Sequence, residues 1–184
     1  MPIDKTSAAA ALSDIDAVGA MVRQSVFYRR ASLIMFLWGV LTGLGYLATW
    51  LWPRQAGWVW ACVYFLGFIG SFVILAIEKR GTPSRRFDWR IFAAYFLFFF
   101  FGFLWSQGLG HFNGRQMSAF WPTYFMLAYM LVGLWAGRAL IFIGFGVTAL
   151  TLIGFVYAGP WFEPWMALVN GGGLILGGLW MRRA

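Results

Sequence analysis

The chain has 184 residues and a net charge of +8, and its composition is 61% hydrophobic but only 11% charged. A soluble globular domain carries roughly 25% charged residues, so this composition excludes a water-soluble fold and predicts a chain that lies mostly in lipid. The basic residues stand at the ends of apolar runs, which is typical of membrane topology and argues against a nucleic-acid partner.

The first segment of the chain predicts a helix on the membrane surface. Apolar residues recur at spacings of three and four between Leu12 and Tyr28, which is typical of one face of a helix. Ser13 is a suitable N-cap for this helix. We expect residues 1–30 to be cytoplasmic, with an amphipathic helix at about 12–28 that lies on the membrane. Docking on a cytoplasmic protein is the alternative.

Six apolar segments follow within residues 31–184, and each is near the ~20 residues that an α-helix needs to cross a bilayer. The expected fold is therefore an all-α membrane protein, with six transmembrane helices in a compact bundle preceded by the amphipathic interfacial helix. The spacing Gly39–Gly43 is one of several G-x-x-x-G pairs that predict close helix packing, which we expect within one chain. The predicted bounds are about 31–52, 57–77, 91–107, 118–136, 139–158 and 161–181.

The basic residues are distributed unequally between the two sides of such a bundle. With six spans, twelve of the 14 Lys and Arg residues fall on one side, and only Arg54 and Arg115 fall on the other. Because basic residues favour the cytoplasmic side, both termini are predicted to be cytoplasmic, in what we expect to be a bacterial inner membrane. Most tryptophans stand near segment ends, as expected of side chains that prefer the headgroup level.

The hydrophilic stretch Glu78–Arg90 carries the densest charge in the chain and is predicted to be a cytoplasmic loop. Its basic residues, together with those of the N-terminal segment, are candidates for contact with anionic lipid headgroups or with a protein partner. These candidates are Arg23, Arg29, Arg30, Lys79, Arg80, Arg85, Arg86 and Arg90.

The predicted spans contain little that supports catalysis. No Asp, Glu, Lys, Arg or His falls in the central part of any span, which argues against a proton relay or an ion-coupled carrier. A single His111 and a single Cys62 do not make a haem or zinc site, so we expect no metal and no cofactor. No acid–base pair has a recognisable spacing, and we expect no enzymatic activity.

Two places are candidate ligand or gate sites. Polar groups at the outer rim could gather over the mouth of the bundle, or they could be solvated loop residues. Asn170 lies near the middle of the sixth span, where an amide is costly unless it is hydrogen-bonded. The stretch Asn170–Gly173 could be an unwound segment, or it could belong to a continuous helix that packs through its glycines. No proline falls in the middle of a predicted span, which favours the continuous helix. The candidates are Gln107, His111, Asn113, Arg115, Glu163 and Asn170.

These observations favour a small polytopic membrane protein that binds or facilitates a small neutral or aromatic solute through an intramembrane cavity. The absence of charge within the spans and the polar outer rim are the basis of this hypothesis. The alternative is a non-catalytic membrane subunit or regulator that contacts a cytoplasmic partner or anionic lipid through its basic inner face.

Overall fold

The computed structural model describes residues 5–79 and 89–183, and this part of the chain is helical with short connections and no β-strand. Its long helices are α1 (Lys5–Leu51), α2 (Ala56–Lys79), α3 (Trp89–Phe103), α4 (Gly114–Ala136) and α5 (Arg138–Tyr157). The final helical run consists of α6 (Phe162–Met166), a π-helical turn (Ala167–Gly172) and α7 (Gly173–Arg183). Shorter turns are the 3₁₀ turns Pro53–Gln55 and Gly159–Trp161 and the π-helical turn Leu104–Leu109, which continues α3.

Four helices of the described part are long and apolar enough to cross a membrane. The helical stretch through α3 is apolar but shorter, at Ala93–Leu109. The all-α fold class is therefore confirmed, and the apolar helices suggest association with a membrane. The four are Gln24–Leu51, Pro53–Glu78, Gly114–Ala136 and Arg138–Tyr157.

The amphipathic N-terminal segment is not a separate helix. The predicted surface helix at 12–28 and the first span both belong to α1, whose 47 residues are continuous. No Gly or Pro stands between Gly19 and Gly39, so nothing in the sequence ends the helix near the predicted boundary at residue 30. At 1.5 Å per residue α1 is ~70 Å long, more than twice the ~30 Å hydrocarbon core of a bilayer.

The end of the bundle that holds the α4–α5 turn is called the inner end after the predicted topology, and the opposite end is called the outer end. At the inner end, α1 contacts the turn that joins α4 to α5. Gly137 in this turn has a φ of 138°, and a Cβ there would collide with the Tyr28 hydroxyl and lie 3.2 Å from Gln24 Nε2. The part of α1 before Gln24 therefore projects beyond the inner ends of α4 and α5. Its residues 5–23 extend for ~30 Å.

The final helical run packs against α1 through glycine. A Cβ at Gly171 would lie 2.8 Å from the Gly43 Cα and 2.9 Å from the Gly39 carbonyl oxygen, so the two backbones are in direct contact. The predicted close packing at Gly39–Gly43 is thus found within one chain.

The main core lies between α1, α4, α5 and the final helical run. It includes Met35 of α1, Met126 of α4, Ile143 of α5 and Leu174 of α7. A second buried cluster, at the outer end, is formed by Tyr46, Phe162 and Met166.

Candidate functional site

Arg115, near the start of α4, is held by the end of α5. Its Nη1 donates to the Gly159 carbonyl and its Nη2 to the Phe155 carbonyl, both at 2.8 Å. The guanidinium carbon lies 4.9 Å from the ring centroid of Phe162 and 5.5 Å from that of Phe155. Carbonyls at a helix C-terminus lack intrahelical donors and carry partial negative charge, so Arg115 caps α5. The two guanidinium nitrogens of Arg115 therefore donate to backbone carbonyls of this chain.

Glu163 of α6 lies close to Arg115, which is one of the two alternatives that the sequence left open for the outer rim. Arg115 and Ser118 are near enough to the Glu163 carboxylate to interact with it electrostatically, and so is the hydroxyl of Tyr46. The Glu163 Oε2 atom is buried and accepts no hydrogen bond from the described residues. The structure thus brings four polar residues together at the outer end, two of them predicted.

Tyr46 is the member of this cluster that ties α1 to α4. Its side chain is 1% exposed, and its hydroxyl donates to the Ser118 carbonyl oxygen at 2.9 Å. Pro122 lies inside α4, four residues after Ser118, and has no N–H to donate to that carbonyl. The prediction that no proline lies in the middle of a span is corrected here, since α4 begins at Gly114 and not at residue 118, which places Pro122 about two turns inside the helix.

The other predicted residues of the outer rim have local roles. Asn113 caps α4 in a capping box: its Oδ1 accepts from the Gln116 N–H, and Gln116 Oε1 accepts from the Asn113 N–H, both at 2.9 Å. Gln107 Nε2 lies 3.7 Å from Met117 Sδ, and His111 is exposed with a φ of 45°. The structure therefore does not gather these side chains with the buried cluster of α4 and α6.

Asn170 lies in the π-helical turn of the final run and is 4% exposed. The run is not unwound there, so the continuous helix is the alternative that the structure supports, with a π-helical turn that was not predicted. Three consecutive glycines, Gly171–Gly173, weaken the α-helix at this point and are the sequence feature that accompanies the turn.

An open groove of about 220 Å³ lies between the outer halves of α4 and α5. This groove was not predicted, because single aromatic residues on apolar helices are hard to distinguish from lipid-facing ones. A second groove of about 310 Å³, between α1 and the final run, is lined by Gly43, Leu47, Pro164, Ala167 and Leu168, so neither groove includes Asn170. The α4–α5 groove is lined by Phe112, Gln116, Ala119, Phe120, Thr123, Leu152 and Phe155.

On the inner side, two of the predicted contact residues connect α1 to α2. Arg29 Nη2 lies 2.9 Å from Glu78 Oε1, and Arg30 Nη2 donates to the Glu78 carbonyl oxygen at 3.3 Å. Arg90 is exposed at the start of α3. The side chains of Arg23 and Lys79 lie outside the described part of the structure, and the residues Arg80, Arg85 and Arg86 lie outside it entirely.

Within the described residues, no group of three or more His, Cys, Asp or Glu side chains could hold a metal ion. The chain matches no protein-family model, no curated protein and no solved structure. The fold therefore defines a class only, an all-helical protein whose long apolar helices suggest a place in a membrane.

Proposed function

We propose that this protein binds, or facilitates the passage of, a small neutral aromatic solute in a membrane. In this proposal its chain forms six transmembrane helices with both termini in the cytoplasm of a bacterial inner membrane. The observation that supports a binding role is the α4–α5 groove, whose walls include the rings of Phe112, Phe120 and Phe155.

The chemistry of the groove favours a neutral ligand with a ring. A cavity of ~150 Å³ is enough to bind benzene, so the groove of about 220 Å³ has room for a small aromatic molecule. No charged side chain lines it. The Arg115 guanidinium is turned away to the carbonyls of Phe155 and Gly159.

Two polar side chains of the groove can orient such a ligand. Gln116 uses its Oε1 to accept from Asn113, which leaves its NH₂ group to donate. The Thr123 hydroxyl donates to carbonyls of its own helix at 2.9 Å, which leaves its oxygen to accept. A ring with one polar N–H or O–H suits this arrangement.

The test is saturable binding of 5-fluoroindole to the protein in lipid nanodiscs, followed by fluorine NMR against empty nanodiscs. We expect Phe120→Ala, which removes a wall, and Leu152→Phe, which fills the groove, to weaken binding. Phe142→Ala is the matched control, because Phe142 is an exposed phenylalanine of α5 that does not line the groove. Binding equal to that of empty nanodiscs, or equal losses in the control, would reject the proposal.

A second candidate function is a membrane subunit that docks a helix of a partner protein on the inner side. The apolar stripe of α1 formed by Ile15, Val18 and Val22 is exposed and lies beyond the inner ends of α4 and α5. Because α1 continues as one helix beyond the bundle, this stripe is separated from the bundle, which favours a protein helix over lipid as its partner.

This second function is tested by recovery of the tagged protein from native membranes. A stoichiometric partner that is retained by Ser13→Asp, on the opposite face of α1, and lost by the pair Ile15→Asp and Val22→Asp would support docking through the stripe. Recovery of this protein alone, or equal retention of the partner by both variants, would reject docking.

A further inference from the structure

The second groove lies between two contacts of α1 with the final helical run. At its inner end the Gly43 and Gly171 backbones touch, since a Cβ at Gly171 would lie 2.8 Å from the Gly43 Cα. At its outer end the rings of Trp50 and Trp161 pack with their centroids 5.4 Å apart. Between these contacts the two helices leave an open space of about 310 Å³. The residues that line it are Gly43, Leu47, Pro164, Ala167 and Leu168.

The dimensions of the second groove admit a hydrocarbon chain but not a helix. Gly43, Leu47 and Trp50 follow one face of α1 at spacings of four and three residues, so the groove is ~10 Å long. A volume of about 310 Å³ over that length leaves a width of ~6 Å. An α-helix with its side chains is ~10–12 Å across, which is too wide. An extended chain of methylene groups is narrow enough.

The walls of the second groove are apolar and open toward the surroundings of the bundle. None of its five lining residues has a polar side chain. Leu47 and Leu168 are exposed, so the groove faces away from the buried core. An apolar groove left unfilled would forfeit dispersion contacts along its whole length. Hydrocarbon is the material that a bilayer supplies at this depth.

Two tryptophans indicate where the polar part of such a ligand lies. Trp50 and Trp161 form the only contact between two tryptophan rings among the described residues, and both side chains are exposed. Neither indole N–H donates to a described residue, whereas the indoles of Trp38 and Trp165 donate within the chain at 3.1 and 2.9 Å. Because indole rings prefer the headgroup level, the two N–H groups are available to ester or phosphate oxygens of a lipid.

We infer that the second groove binds one acyl chain of a bilayer phospholipid, which packs between Leu47 and Leu168 while its ester region accepts from the indoles of Trp50 and Trp161. The groove descends ~10 Å from the level of the tryptophans, and one leaflet contributes about half of the ~30 Å hydrocarbon core. Its direction and depth therefore match those of a lipid chain. The inference rests on the membrane setting of the proposed function but not on its solute, which would bind in the α4–α5 groove.

The test is photo-crosslinking in nanodiscs of phosphatidylcholine that carries a diazirine on its acyl chain, with the labelled residues located by mass spectrometry. Leu44 and Leu51 are internal controls, because they bracket Leu47 in depth on α1 and do not line the groove. They are 59% and 56% exposed, against 41% for Leu47. Random contact with lipid therefore labels the two controls at least as strongly. A bound chain should label Leu47 and Leu168 several-fold more.

Filling the groove should abolish this excess labelling. A Cβ at Gly43 would lie 3.6 Å from the Ala167 carbonyl oxygen and from the Gly171 Cα, which are ordinary contacts, so Gly43→Leu places its side chain in the groove. Gly146→Leu is the matched control, because a Cβ at Gly146 meets nothing within 4 Å and this residue does not line the groove. The comparison of leucines in the unaltered protein stands even if the Gly43 variant fails to fold.

The role of the indoles is tested by removing one N–H and keeping an aromatic ring. Trp50→Phe and Trp161→Phe should each weaken retention of the phospholipid about fivefold, measured as the lipid-bound fraction in native mass spectrometry. Trp58→Phe is the control, since Trp58 is an exposed tryptophan at the start of α2 that contacts neither member of the pair.

Four outcomes would overturn this inference. Equal labelling of Leu44, Leu47 and Leu51 rules out a bound chain. Excess labelling that persists in a folded Gly43→Leu protein places the chain elsewhere. Equal losses for the Trp58 and Trp161 variants rule out the indole contact. A disulfide-linked dimer of Leu47→Cys in a Cys62→Ser background shows that a second copy covers the groove. Absence of fluoroindole binding rejects the proposed solute alone, because Phe120 lies in the other groove.

Discussion

The Tyr46 hydroxyl occupies the place of the backbone N–H that Pro122 lacks. In a regular α-helix the Ser118 carbonyl would accept from the N–H of residue 122, and here it accepts from Tyr46 of α1 at 2.9 Å. The Ser118 carbonyl, which proline leaves without an intrahelical donor, thus accepts a hydrogen bond that connects α4 to α1. Trp60 of α2 packs edge-on against the Tyr46 ring, and the two ring centroids lie 4.9 Å apart.

Tyr46→Phe should destabilise the protein by about 1–2 kcal/mol, because it leaves the buried Ser118 carbonyl without a donor. Pro122→Ala restores an N–H to α4, so the same Tyr46→Phe change should cost clearly less in that background. The measurement is the unfolding free energy of all four proteins in a double-mutant cycle. A cost that is the same in both backgrounds would contradict the link between the two residues. Tyr64→Phe is the control, because its hydroxyl bonds to no described residue.

Gly137→Ala should lower stability by about 2 kcal/mol or more. The residue has a φ of 138°, which side chains other than glycine rarely adopt, and a Cβ would also collide with the Tyr28 hydroxyl. Thermal unfolding in detergent measures the loss. Gly146→Ala is the control, because a Cβ at Gly146 meets nothing within 4 Å, and there we expect no loss or a gain of up to about 1 kcal/mol. Similar melting temperatures for the two variants would contradict the contact.

Gly171→Ala should separate α1 from the π-helical turn. Its Cβ would lie 2.8 Å from the Gly43 Cα, and a backbone atom cannot yield as a side chain does. A cysteine pair placed across α1 and the final run should therefore crosslink more slowly in this variant. At the neighbouring Gly172 a Cβ would be 3.9 Å from Leu168 Cδ1, an ordinary contact. Gly172→Ala should leave crosslinking unchanged, and equal rates for both variants would argue against direct backbone contact.

Arg115→Gln should destabilise the outer end by about 1.5–3 kcal/mol, the usual range for hydrogen bonds that involve a charged group. The carbonyls of Phe155, at the end of α5, and of Gly159, in the turn that follows, lose their donor, so hydrogen exchange should accelerate in Ala158 and its neighbours before the rest of the helix. Arg115→Lys keeps the charge but cannot span the two carbonyls, and it should recover only part of the loss. Arg54→Gln, at an exposed position, is the control. A full rescue by lysine would show that charge alone matters.

The sequence anticipated the helical class and part of the outer cluster for physical reasons. Apolar runs near ~20 residues have few alternatives to helices, because lipid satisfies no backbone hydrogen bonds. A meeting of Arg115 and Glu163 was one of two alternatives, because both stand at the outer ends of segments, and solvated loop residues were the other. Tyr46 could not be assigned to them, since its partner is a backbone carbonyl and depends on the register between α1 and α4.

The boundaries of helices were harder to predict than their existence. The prediction divided α1 at residue 30 because the composition changes there from amphipathic to apolar, although no helix-breaking residue marks a boundary. The start of α4 depends on the capping box of Asn113 and Gln116, which lies in what composition alone describes as a loop.

What the sequence by itself determined is the presence of long apolar helices that suggest association with a membrane, because this follows from the length of the apolar runs and from the absence of charge within them. The tertiary structure decided which groups meet. The same glycine spacing could have packed helices within or between chains, and only the contact of Gly171 with Gly43 shows the first. Likewise, the hydrogen bond from Tyr46 to the Ser118 carbonyl depends on the register between α1 and α4, and that register is set by packing over the whole interface and not by any local pattern.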